Sequence, residues 1–570
     1  MIRPFLLKKE SKDYNDEAKN TRQRAHLQEA PRMNQNKKKF YISTPIYYPS
    51  AQPHLGHAYC TTLTDVIARG KRLRGYDVFF VTGLDEHGEK IQKNAEAKGE
   101  TPQEFVDHVA DTFLSLWDAM KISNDGWIRT TQQRHWKTVQ KIFSRMLEQD
   151  DIYLSSYEGW YCVHEESFWT ETQVGPEHLC PECGRPVEKA EEPAYFYRCG
   201  KHVDSLLKYY EEHPDFITPV SRKNEMVNNF IKPGLQDLCV SRTSFSWGIP
   251  VVEDPKHVVY VWLDALTNYI TCLGYLQEDD SKFQYFWDDP NTEIVHVIGA
   301  DITRFHTIYW PMFLESLGLR EPDRVFVHGL LMMKGGKMSK SRGNAISAYP
   351  LIERYGVDAV RYYLVSEVTF GQNGTFTPEQ FVERINQDLA NNFGNLLNRS
   401  ISMIDKYYQG EIPAYEGEVT PLDEDLHKEM EKTLVSYEAL NDDMKVTEAY
   451  EEVMNLVSAA NKYIQDSAPW VLAKDPSKSK ELASCMAHLA HVIYEAGMLL
   501  SPIMVEKTPE LLKQLGVPEE LRTYENIKNF GFLNGLKVAK GSPLFPRLEE
   551  AKEIEYIASL MAAPKEKAAA

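Results

Sequence analysis

The stretch PHLGH, residues 53–57, lies where a strand-like apolar segment, FYIS at residues 40–43, gives way to a helical pattern. Apolar residues then recur at helical spacing, which predicts an amphipathic helix that ends near Gly75. Both imidazoles fall within the first turn of this helix, beside its unpaired N–H groups, and such an arrangement binds anions. Gly56 has no side chain, so a flat ring such as adenine can approach the backbone closely. The alternative is that His54 and His57 only cap the helix.

A second motif lies far downstream, where GGKMSKS occupies residues 335–341. Two glycines ahead of two ammonium groups and two hydroxyls predict a mobile loop. Lysines act as point charges for phosphate, so such a loop can cover a bound triphosphate. A solvated basic loop would explain Lys337 and Lys340 but not the histidine motif. Ser339 and Ser341 are further candidates for contacts with the nucleotide.

Strands alternate with helices in two parts of the chain. YDVFFVT at residues 76–82 predicts a buried strand, and further strands are predicted at 257–262, 293–298 and 324–327. A helix is predicted over 302–317, bent at Pro311 and ended by Gly318. The alternation implies a parallel sheet, in which ligands bind beyond the carboxyl ends of the strands. The loops at 45–57 and 83–88 are therefore expected to face one crevice.

The remaining segments differ from this pattern. Residues 151–257 hold the cysteine turn CPECG at 180–184 and are rich in proline and aromatic residues, which indicates an insertion between two halves of the sheet domain. A helical pattern over 391–540 predicts a bundle. Residues 1–36 are polar and mixed in charge, which predicts a disordered extension.

Composition limits the class of protein. The 570 residues are enough for about three or four domains. Apolar runs are too short for a membrane span, no secretory signal is present, and eight cysteines are too few for a disulfide scaffold, so a cytoplasmic protein is expected. The net charge of −19 argues against a generally basic surface, so any RNA contact must rest on a local face.

The two motifs, in this order and separation, resemble those of the class I aminoacyl-tRNA synthetases. HLGH matches their HIGH motif, and KMSKS matches their second motif letter for letter. Three phrases, YVWLDA at 260–265, FHTIYWP at 305–311 and NEMVNN at 224–229, resemble the methionyl-tRNA synthetase family in particular. The resemblance covers residues 39–548, with one departure at Ala300, where lysine is expected in most of the family.

This resemblance implies an α/β fold in which a Rossmann-like parallel-sheet catalytic domain is split by a connective insertion and followed by an all-α anticodon-binding bundle. The predicted divisions are the extension at 1–36, the halves of the catalytic domain at 37–150 and 258–345, the insertion at 151–257, a stem-contact segment at 346–390, the bundle at 391–548 and a tail at 549–570.

The resemblance also implies an activity: methionine is activated by ATP, bound with Mg²⁺, to methionyl-adenylate and transferred to the 3′-terminal adenosine of tRNA(Met). His54 and His57 would then hold phosphate oxygens, Lys337 and Lys340 would neutralise the pyrophosphate, and Asp301 would hold the ribose. Two other functions stay open. One is a catalytically inactive tRNA-binding relative, and the other is a small-molecule nucleotidyltransferase that shares the HxGH motif and the sheet.

A methionine pocket follows from the same resemblance, with the polarizable sulfur against aromatic rings. The residues that match the family's pocket are Ile46, Tyr48, Trp262, Ala265, Tyr269, Ile302 and His306. Asp85 is expected to pair with the methionine ammonium. The insertion has no room for the editing domain that the isoleucine, valine and leucine enzymes need, because a hydrophobic pocket separates aliphatic side chains poorly. Core packing would account for some of the aromatic members equally well.

Three bundle residues match those with which the family reads the CAU anticodon. Asn395 and Arg399 are four positions apart and share a helix face, and Trp470 follows a proline at a helix break. Unstacked bases can stack on indole. Each of the three has an ordinary alternative, which is a surface pair for the first two and packing for the tryptophan. A monomer is expected, without a membrane partner.

Related enzymes hold one Zn²⁺ with four ligands in two cysteine turns. Here the second turn supplies Cys180 and Cys183, whereas the first supplies Cys162 and has Glu165 in place of the fourth cysteine. Three thiolates and a carboxylate can close a zinc shell. A compact insertion with reduced cysteines and no ion fits the sequence equally well, so both alternatives stay open.

Overall fold

The computed structural model describes residues 37–163, 167–169, 171–181, 183–333, 336–337, 346–368 and 371–561. The chain forms two compact units. The first contains the chain up to Ser50, Tyr76–Asp111 and Ser123–Val325. The second contains Ala51–Gly75, Thr112–Ile122 and the chain from Phe326 onward. The domain divisions given above stay predictions.

The strands form one large sheet and three small ones. In chain order they are β1 Lys39–Tyr47, β2 Asp77–Leu84, β3 Gly126–Arg129, β4 Ile152–Cys162, β5 Ser167–Trp169, β6 Glu188–Tyr197, β7 Ile217–Thr218, β8 Leu238–Cys239, β9 Ser241–Arg242, β10 Val258–Val259, β11 Thr292–Gly299, β12 Arg324–His328, β13 Leu331–Met333, β14 Gly336–Lys337 and β15 Gly374–Phe376. The six-stranded sheet has the order β3-β2-β1-β11-β12-β7, and β1 pairs in parallel with both β2 and β11. This confirms the predicted parallel sheet.

The central strands read as continuous apolar runs because both of their faces are covered. Every residue of β2 is buried. Close packing at its carboxyl end requires Gly83, since a Cβ there would lie 2.0 Å from the Ile128 carbonyl oxygen. A register shift between Ser43 and Ile46 interrupts the pairing of β1 with β2 and turns the end of β1.

One predicted strand is wrong. Residues 257–262 form only the two-residue strand β10, which pairs with β9 in an antiparallel ribbon outside the large sheet, and a helix begins at Val261. A short apolar run cannot be assigned to strand or helix by periodicity alone. The insertion carries its own sheet, in the order β5-β4-β6-β8, whose pairs are antiparallel.

In the described part of the chain the helices vary in length from 3 to 22 residues. They are α1 Leu55–Leu73, α2 Glu89–Lys98, α3 Pro102–Ala119, α4 Gln133–Glu148, α5 Glu171–Val174, α6 Val203–Glu212, α7 Val220–Met226, α8 Val261–Leu266, α9 Asn268–Thr271, α10 Ser281–Phe283, α11 Trp310–Leu317, α12 Tyr349–Tyr355, α13 Val357–Glu367, α14 Pro378–Arg384, α15 Asn395–Tyr408, α16 Pro421–Asp442, α17 Val446–Ser467, α18 Pro469–Leu472, α19 Ser479–Leu500, α20 Lys507–Gln514 and α21 Glu550–Met561. No helix among these is long and apolar enough to cross a membrane.

Two helical predictions differ in detail from the structure. The helix predicted over 302–317 consists of a 3₁₀ turn, a π-helical segment Phe305–Tyr309 and then α11, which ends at Gly318 with a φ of 68°. The bundle predicted over 391–540 is helical through α20, after which short 3₁₀ turns follow. The φ of 80° at Gly516 and the proline at 518 break the helical pattern there.

A buried ion pair lies at the centre of the second unit. Arg361 on α13 and Asp65 on α1 are both fully buried, and Nη2 of Arg361 lies 2.6 Å from Oδ2 of Asp65. The other guanidinium hydrogens go to backbone carbonyls of Met120, Pro502 and Ile503, at 2.8–3.0 Å. The pair therefore connects α1, the end of α3, α13 and the segment between α19 and α20.

Asp65→Asn is expected to lower the free energy of unfolding by about 3–5 kcal/mol, because it leaves the buried Arg361 charge without its counter-ion. Denaturant unfolding of the variant and the parent chain measures the difference. Glu429→Gln is the control, since Glu429 pairs with Lys432 at the surface at 3.0 Å, and such pairs contribute less than about 1 kcal/mol. A loss in the Asp65 variant as small as in the control would contradict the assigned role.

Candidate active site

The two histidines of the HLGH motif cap α1. Nδ1 of His54 accepts a hydrogen bond from the Gly56 N–H at 3.1 Å, and Nδ1 of His57 accepts one from the His54 N–H at 3.0 Å. A neutral imidazole that accepts at Nδ1 carries its proton at Nε2. Each ring therefore carries its proton at Nε2, the position from which an imidazole can donate to an anion, so the two interpretations of the motif are compatible.

Gly56 permits the close packing of this turn. A Cβ at this position would lie 2.9 Å from Cε1 of His54, too close for any side chain. The His54 and His57 rings have centroids 4.0 Å apart, and the His57 ring meets Phe113 edge to face at 5.4 Å. Both rings are thus fixed against the helix terminus.

The lysine motif lies largely outside the described residues, and this applies to Ser339, Lys340 and Ser341. The backbone of Lys337 forms β14 and pairs with Met332. The chain that leaves this segment returns to the histidine motif, because the Leu55 N–H donates to the Ile346 carbonyl at 2.9 Å. Ile346, five positions after the motif, thus lies beside the first turn of α1.

Three of the predicted pocket residues form one hydrogen-bonded series in the first unit. Nδ1 of His306 lies 3.0 Å from the carbonyl oxygen of Ile302, and Nε2 lies 2.7 Å from the hydroxyl of Tyr269. Because the carbonyl can only accept, the ring proton is at Nδ1 and the Tyr269 hydroxyl donates to Nε2. Burial lowers the pKa of His306 to about 4, so the ring is neutral at physiological pH.

Trp262 stacks on a residue that the sequence prediction missed. Its ring is parallel to that of Phe305, with centroids 3.4 Å apart and an interplanar angle of 4°. The phrase FHTIYWP begins with Phe305, next to His306, and that position was the available signal. The indole N–H of Trp262 is buried and has no hydrogen-bond partner among the described residues. The pair borders a cavity of about 680 Å³ that Arg304 and Tyr309 also line.

The remaining pocket candidates lie at strand ends and on a short helix. Ile46 pairs with Gly83 at the carboxyl ends of β1 and β2, and the Asp85 N–H donates to the Tyr47 carbonyl at 2.9 Å. Tyr48 lies under the Lys90 ammonium, 5.6 Å from its ring centroid. Asp85 and Ala265 on α8 are buried. The chain therefore leaves β1 and β2 at adjacent positions in this unit, and the shared crevice stays a prediction.

A buried carboxylate fixes two of the segments that carry these residues. Asp264 is fully buried, with Nδ1 of His87 at 2.6 Å and Nε2 of His135 at 2.7 Å from its two oxygens. Burial alone would raise the pKa of Asp264, but the charges and hydrogen bonds of the two histidines hold it below its usual value. Asp264 lies between Trp262 and Ala265, and His87 lies two residues after Asp85. The network therefore links the segment after β2 to α8, although sequence reasoning did not find it.

Asp301 is exposed in the 3₁₀ turn Ala300–Ile302, directly after β11. This is the carboxyl end of a central parallel strand, where ligands of such sheets bind. The contact to a ribose stays a prediction. Ala300 is half-buried in the same turn.

The anticodon candidates lie in the second unit. Asn395 and Arg399 are half-buried on α15, one turn apart. Trp470 is 42% exposed on α18, which follows Ala468 in the left-handed conformation, with a φ of 44°. Packing therefore covers part of the indole and leaves the rest exposed, and the role of Trp470 stays a prediction.

The cysteines of the insertion lie together. The Sγ atoms of Cys162, Cys180 and Cys183 are all within 4.8 Å of one another, and those of Cys162 and Cys183 are 3.6 Å apart. Two thiolates on a tetrahedral zinc ion, each bound at about 2.3 Å, lie about 3.8 Å apart. The three residues therefore fit the ion. Glu165, the predicted fourth ligand, lies outside the described residues.

Comparison with known proteins gives consistent matches along the chain. The family model for "tRNA synthetases class I (M)" matches residues 40–192 and 183–401, and that for the "Anticodon binding domain of methionyl tRNA ligase" matches residues 412–562. The methionine–tRNA ligase of Halalkalibacterium halodurans is 51% identical over 94% of this chain and 82% of its own length. That of Bacillus subtilis is 52% identical over 93% and 81%.

A solved structure shows the same fold. The Mycobacterium tuberculosis methionyl-tRNA synthetase in complex with methionyl-adenylate is 40% identical, with a TM-score of 0.85, and the match covers 90% of this chain and 100% of that one.

His306→Gln is expected to reduce the dependence of stability on pH. The folded ring has its pKa depressed below the ordinary 6.5, so the unfolded chain binds more protons between pH 6.5 and 4, and stability falls as pH drops through that window. The difference between pH 7 and pH 4 is about 3 kcal/mol for this group. Denaturant unfolding across this range measures it, with the exposed His108→Gln as control. Parallel pH profiles for the His306 variant and the parent chain would contradict the assignment.

Proposed function

The chain belongs to the methionyl-tRNA synthetase family, and we infer that it activates methionine with ATP and transfers the methionyl group to the 3′-terminal adenosine of tRNA(Met). The observation that carries this function is the pair of family matches, one over the catalytic part and one over the helical part. A small-molecule nucleotidyltransferase needs no anticodon-binding module. A catalytically inactive relative is not favoured, because relatives about half identical to this chain are named as ligases.

In the first step a methionine carboxylate oxygen bonds to the α-phosphorus of ATP, and the bond from that phosphorus to the pyrophosphate oxygen breaks. ATP enters as its Mg²⁺ complex. Positioning and charge stabilisation dominate such transfers. We propose that His54 and His57 donate their Nε2–H groups to phosphate oxygens, which the capping at both Nδ1 atoms supports. Lys337 and Lys340 would balance the charge that develops on pyrophosphate.

For methionine we propose the pocket of the first unit. The neutral His306 and the Tyr269 hydroxyl that it accepts from form a polar wall without a full charge, which suits an uncharged thioether. The stacked rings of Trp262 and Phe305 supply aromatic surface. Asp85 is buried at the end of β2, where a carboxylate can pair with the substrate ammonium. Asp301 would hold the ribose hydroxyls, and Ser339 and Ser341 the nucleotide phosphates.

In the second step the 2′-hydroxyl of the terminal adenosine attacks the methionyl carbonyl, and AMP leaves. We propose that Asn395, Arg399 and Trp470 read the anticodon. The exposure of Trp470 supports this role, because a base can stack on the exposed part of the indole. Charging of tRNA takes place where translation occurs, so we propose the cytoplasm as the compartment; the monomeric state stays a prediction.

We further propose that Cys162, Cys180 and Cys183 hold a structural Zn²⁺, with Glu165 as the fourth ligand. The spacing of the three sulfurs supports this assignment. A closed shell of this kind crosslinks a small domain, and here it would join β4 to the turn at residues 180–184.

Methionine alone is expected to drive ATP–pyrophosphate exchange on the purified chain, while leucine, isoleucine and cysteine are not. The physical reason is the aromatic and neutral imidazole wall, which fits a polarizable sulfur. Exchange of labelled pyrophosphate into ATP, measured with each amino acid, tests the function. Equal exchange with another amino acid would refute the methionine assignment, and no exchange with any would favour the inactive relative.

Trp470→Ala is expected to impair charging of tRNA(Met) and to leave pyrophosphate exchange unchanged. Loss of one base stack weakens RNA binding by roughly 1–3 kcal/mol. Val471→Ala is the matched control, because Val471 is the adjacent apolar residue and is 55% exposed. A parallel loss of exchange in the Trp470 variant would mean that the residue is structural.

Zinc at the cysteine cluster is expected to protect three thiols from alkylation. Mass spectrometry of the alkylated protein, with and without a chelator, locates the protected positions. Glu165→Cys should slow the loss of protection in chelator, since it restores a soft ligand, whereas Glu177→Cys in the same insertion should not. Equal labelling of all three cysteines before and after chelation would reject the site.

A further inference from the structure

A second group of metal-ligating side chains lies in the helical bundle, outside the site described above. Glu418 precedes α16, His427 lies on α16, and His488 lies on α19. One ligand atom from each of the three lies within 4.8 Å of the other two. Three separate chain segments thus contribute two imidazole groups and one carboxylate group to a single cluster.

The tautomer of His488 leaves an acceptor lone pair at Nε2. Its Nδ1 lies 2.8 Å from the Ser484 carbonyl oxygen, which can only accept, so Nδ1 carries the proton. Its Nε2 is then an acceptor, and in the described part of the chain this buried atom has no hydrogen-bond partner. The side chain is fully buried. A buried acceptor without a partner is costly, and such an atom calls for an explanation.

His427 has a similar unsatisfied atom. Its Nδ1 lies 2.8 Å from Oε1 of Glu418, yet within the described residues this nitrogen makes no hydrogen bond of acceptable geometry. The ring cannot turn freely, because Phe530 stacks on it with centroids 4.5 Å apart and an angle of 14°. The imidazole nitrogen and the carboxylate oxygen thus lie side by side without a hydrogen bond between them. Such an arrangement fits two ligands of one metal ion.

We propose that Glu418, His427 and His488 bind a divalent transition metal ion, with Zn²⁺ as the ion that this donor set suits best. Two imidazole nitrogens and one carboxylate oxygen are common zinc ligands, and a solvent molecule completes a tetrahedral shell. Glu418 lies at the surface, with its side chain 31% exposed, so the ion and the solvent ligand have access from that side.

Outer contacts orient the ligands as they do at known metal centres. The Ser484 carbonyl fixes His488, and the Tyr415 hydroxyl donates to Oε1 of Glu418 at 2.7 Å. An ordinary histidine–glutamate ion pair would account for His427 and Glu418. It would leave Nε2 of His488 unexplained, whereas the ion accounts for all three residues.

The bound ion would crosslink the segment before α16 to α16 and α19. Because it binds only the folded bundle, it stabilises that fold by mass action. The site does not depend on the proposed catalytic function. It is also separate from the cysteine cluster, which belongs to the first unit and offers thiolates.

The test is zinc content after equilibrium dialysis against a zinc buffer. The parent chain is compared with His427→Gln, and Glu431→Gln is the matched control, because the exposed Glu431 faces the other nitrogen of the same ring at 3.7 Å. All three proteins keep the cysteine cluster, so its zinc cancels. We expect the parent chain and the Glu431 variant to hold one equivalent more than the His427 variant. Equal contents in folded proteins would overturn the proposal.

Thermal unfolding provides a second readout that does not depend on counting ions. Added Zn²⁺ is expected to raise the Tm of the parent chain and of Glu431→Gln more than that of His427→Gln. Glu418→Gln, at the surface, should behave like the His427 variant, and it serves if that variant does not fold. An equal rise in all proteins, or a rise that does not saturate with zinc concentration, would refute the site.

Discussion

The ion pair of Arg361 and Asp65 is the interaction on which the second unit depends. Both side chains are fully buried, and taking two such charges out of water costs several kcal/mol per ion. That cost is offset only when the remaining guanidinium hydrogens are satisfied. Here the backbone carbonyls that satisfy them belong to Met120 and to the adjacent residues Pro502 and Ile503, two segments that are far apart in sequence. The charge is therefore compensated only when these segments are all in place.

The same pair has a consequence for the two histidines of the HLGH motif. Asp65 lies on α1, about two turns after His57, and a helix transmits position along its axis. The carbonyl of Ile346, where the chain returns from the lysine motif, caps the start of this helix. His54 and His57 thus belong to the same compact unit as the helices that carry the anticodon candidates. A shift of α13 against α1 would expose or break the buried pair. Because either change costs free energy, we expect the two helices to move together.

Local sequence patterns predicted the strands and helices well, whereas contacts between distant residues could not be predicted. The strands β1, β2, β11 and β12 are apolar runs followed by turn residues, and α1 has clear helical periodicity, so these were predicted. The run at 257–262 was assigned to a strand because its composition fits both states, and only tertiary packing decides between them. Contacts distant in sequence were out of reach, as with Asp264, which bonds to His135 and His87 across 129 and 177 residues. Most site residues could be named through a family resemblance. Which of them hydrogen-bond to one another could not be predicted, because those contacts depend on the three-dimensional fold.

The tautomer of each histidine is set by the fold and not by its place in the sequence. At His54 and His57 the backbone occupies Nδ1 as an acceptor, which leaves Nε2–H as a donor suited to phosphate oxygen. At His306 both nitrogens are engaged, one by the Ile302 carbonyl and one by the Tyr269 hydroxyl, so the ring is a fixed neutral wall. At His488 a carbonyl occupies Nδ1 and leaves Nε2 as a buried acceptor without a partner in the described chain. The same side chain can thus present a hydrogen-bond donor, an uncharged surface or, as proposed above for His488, a metal ligand, and the neighbour of one ring nitrogen decides which. Sequence spacing cannot distinguish these cases, because the deciding neighbour is a backbone group whose direction is set by the fold.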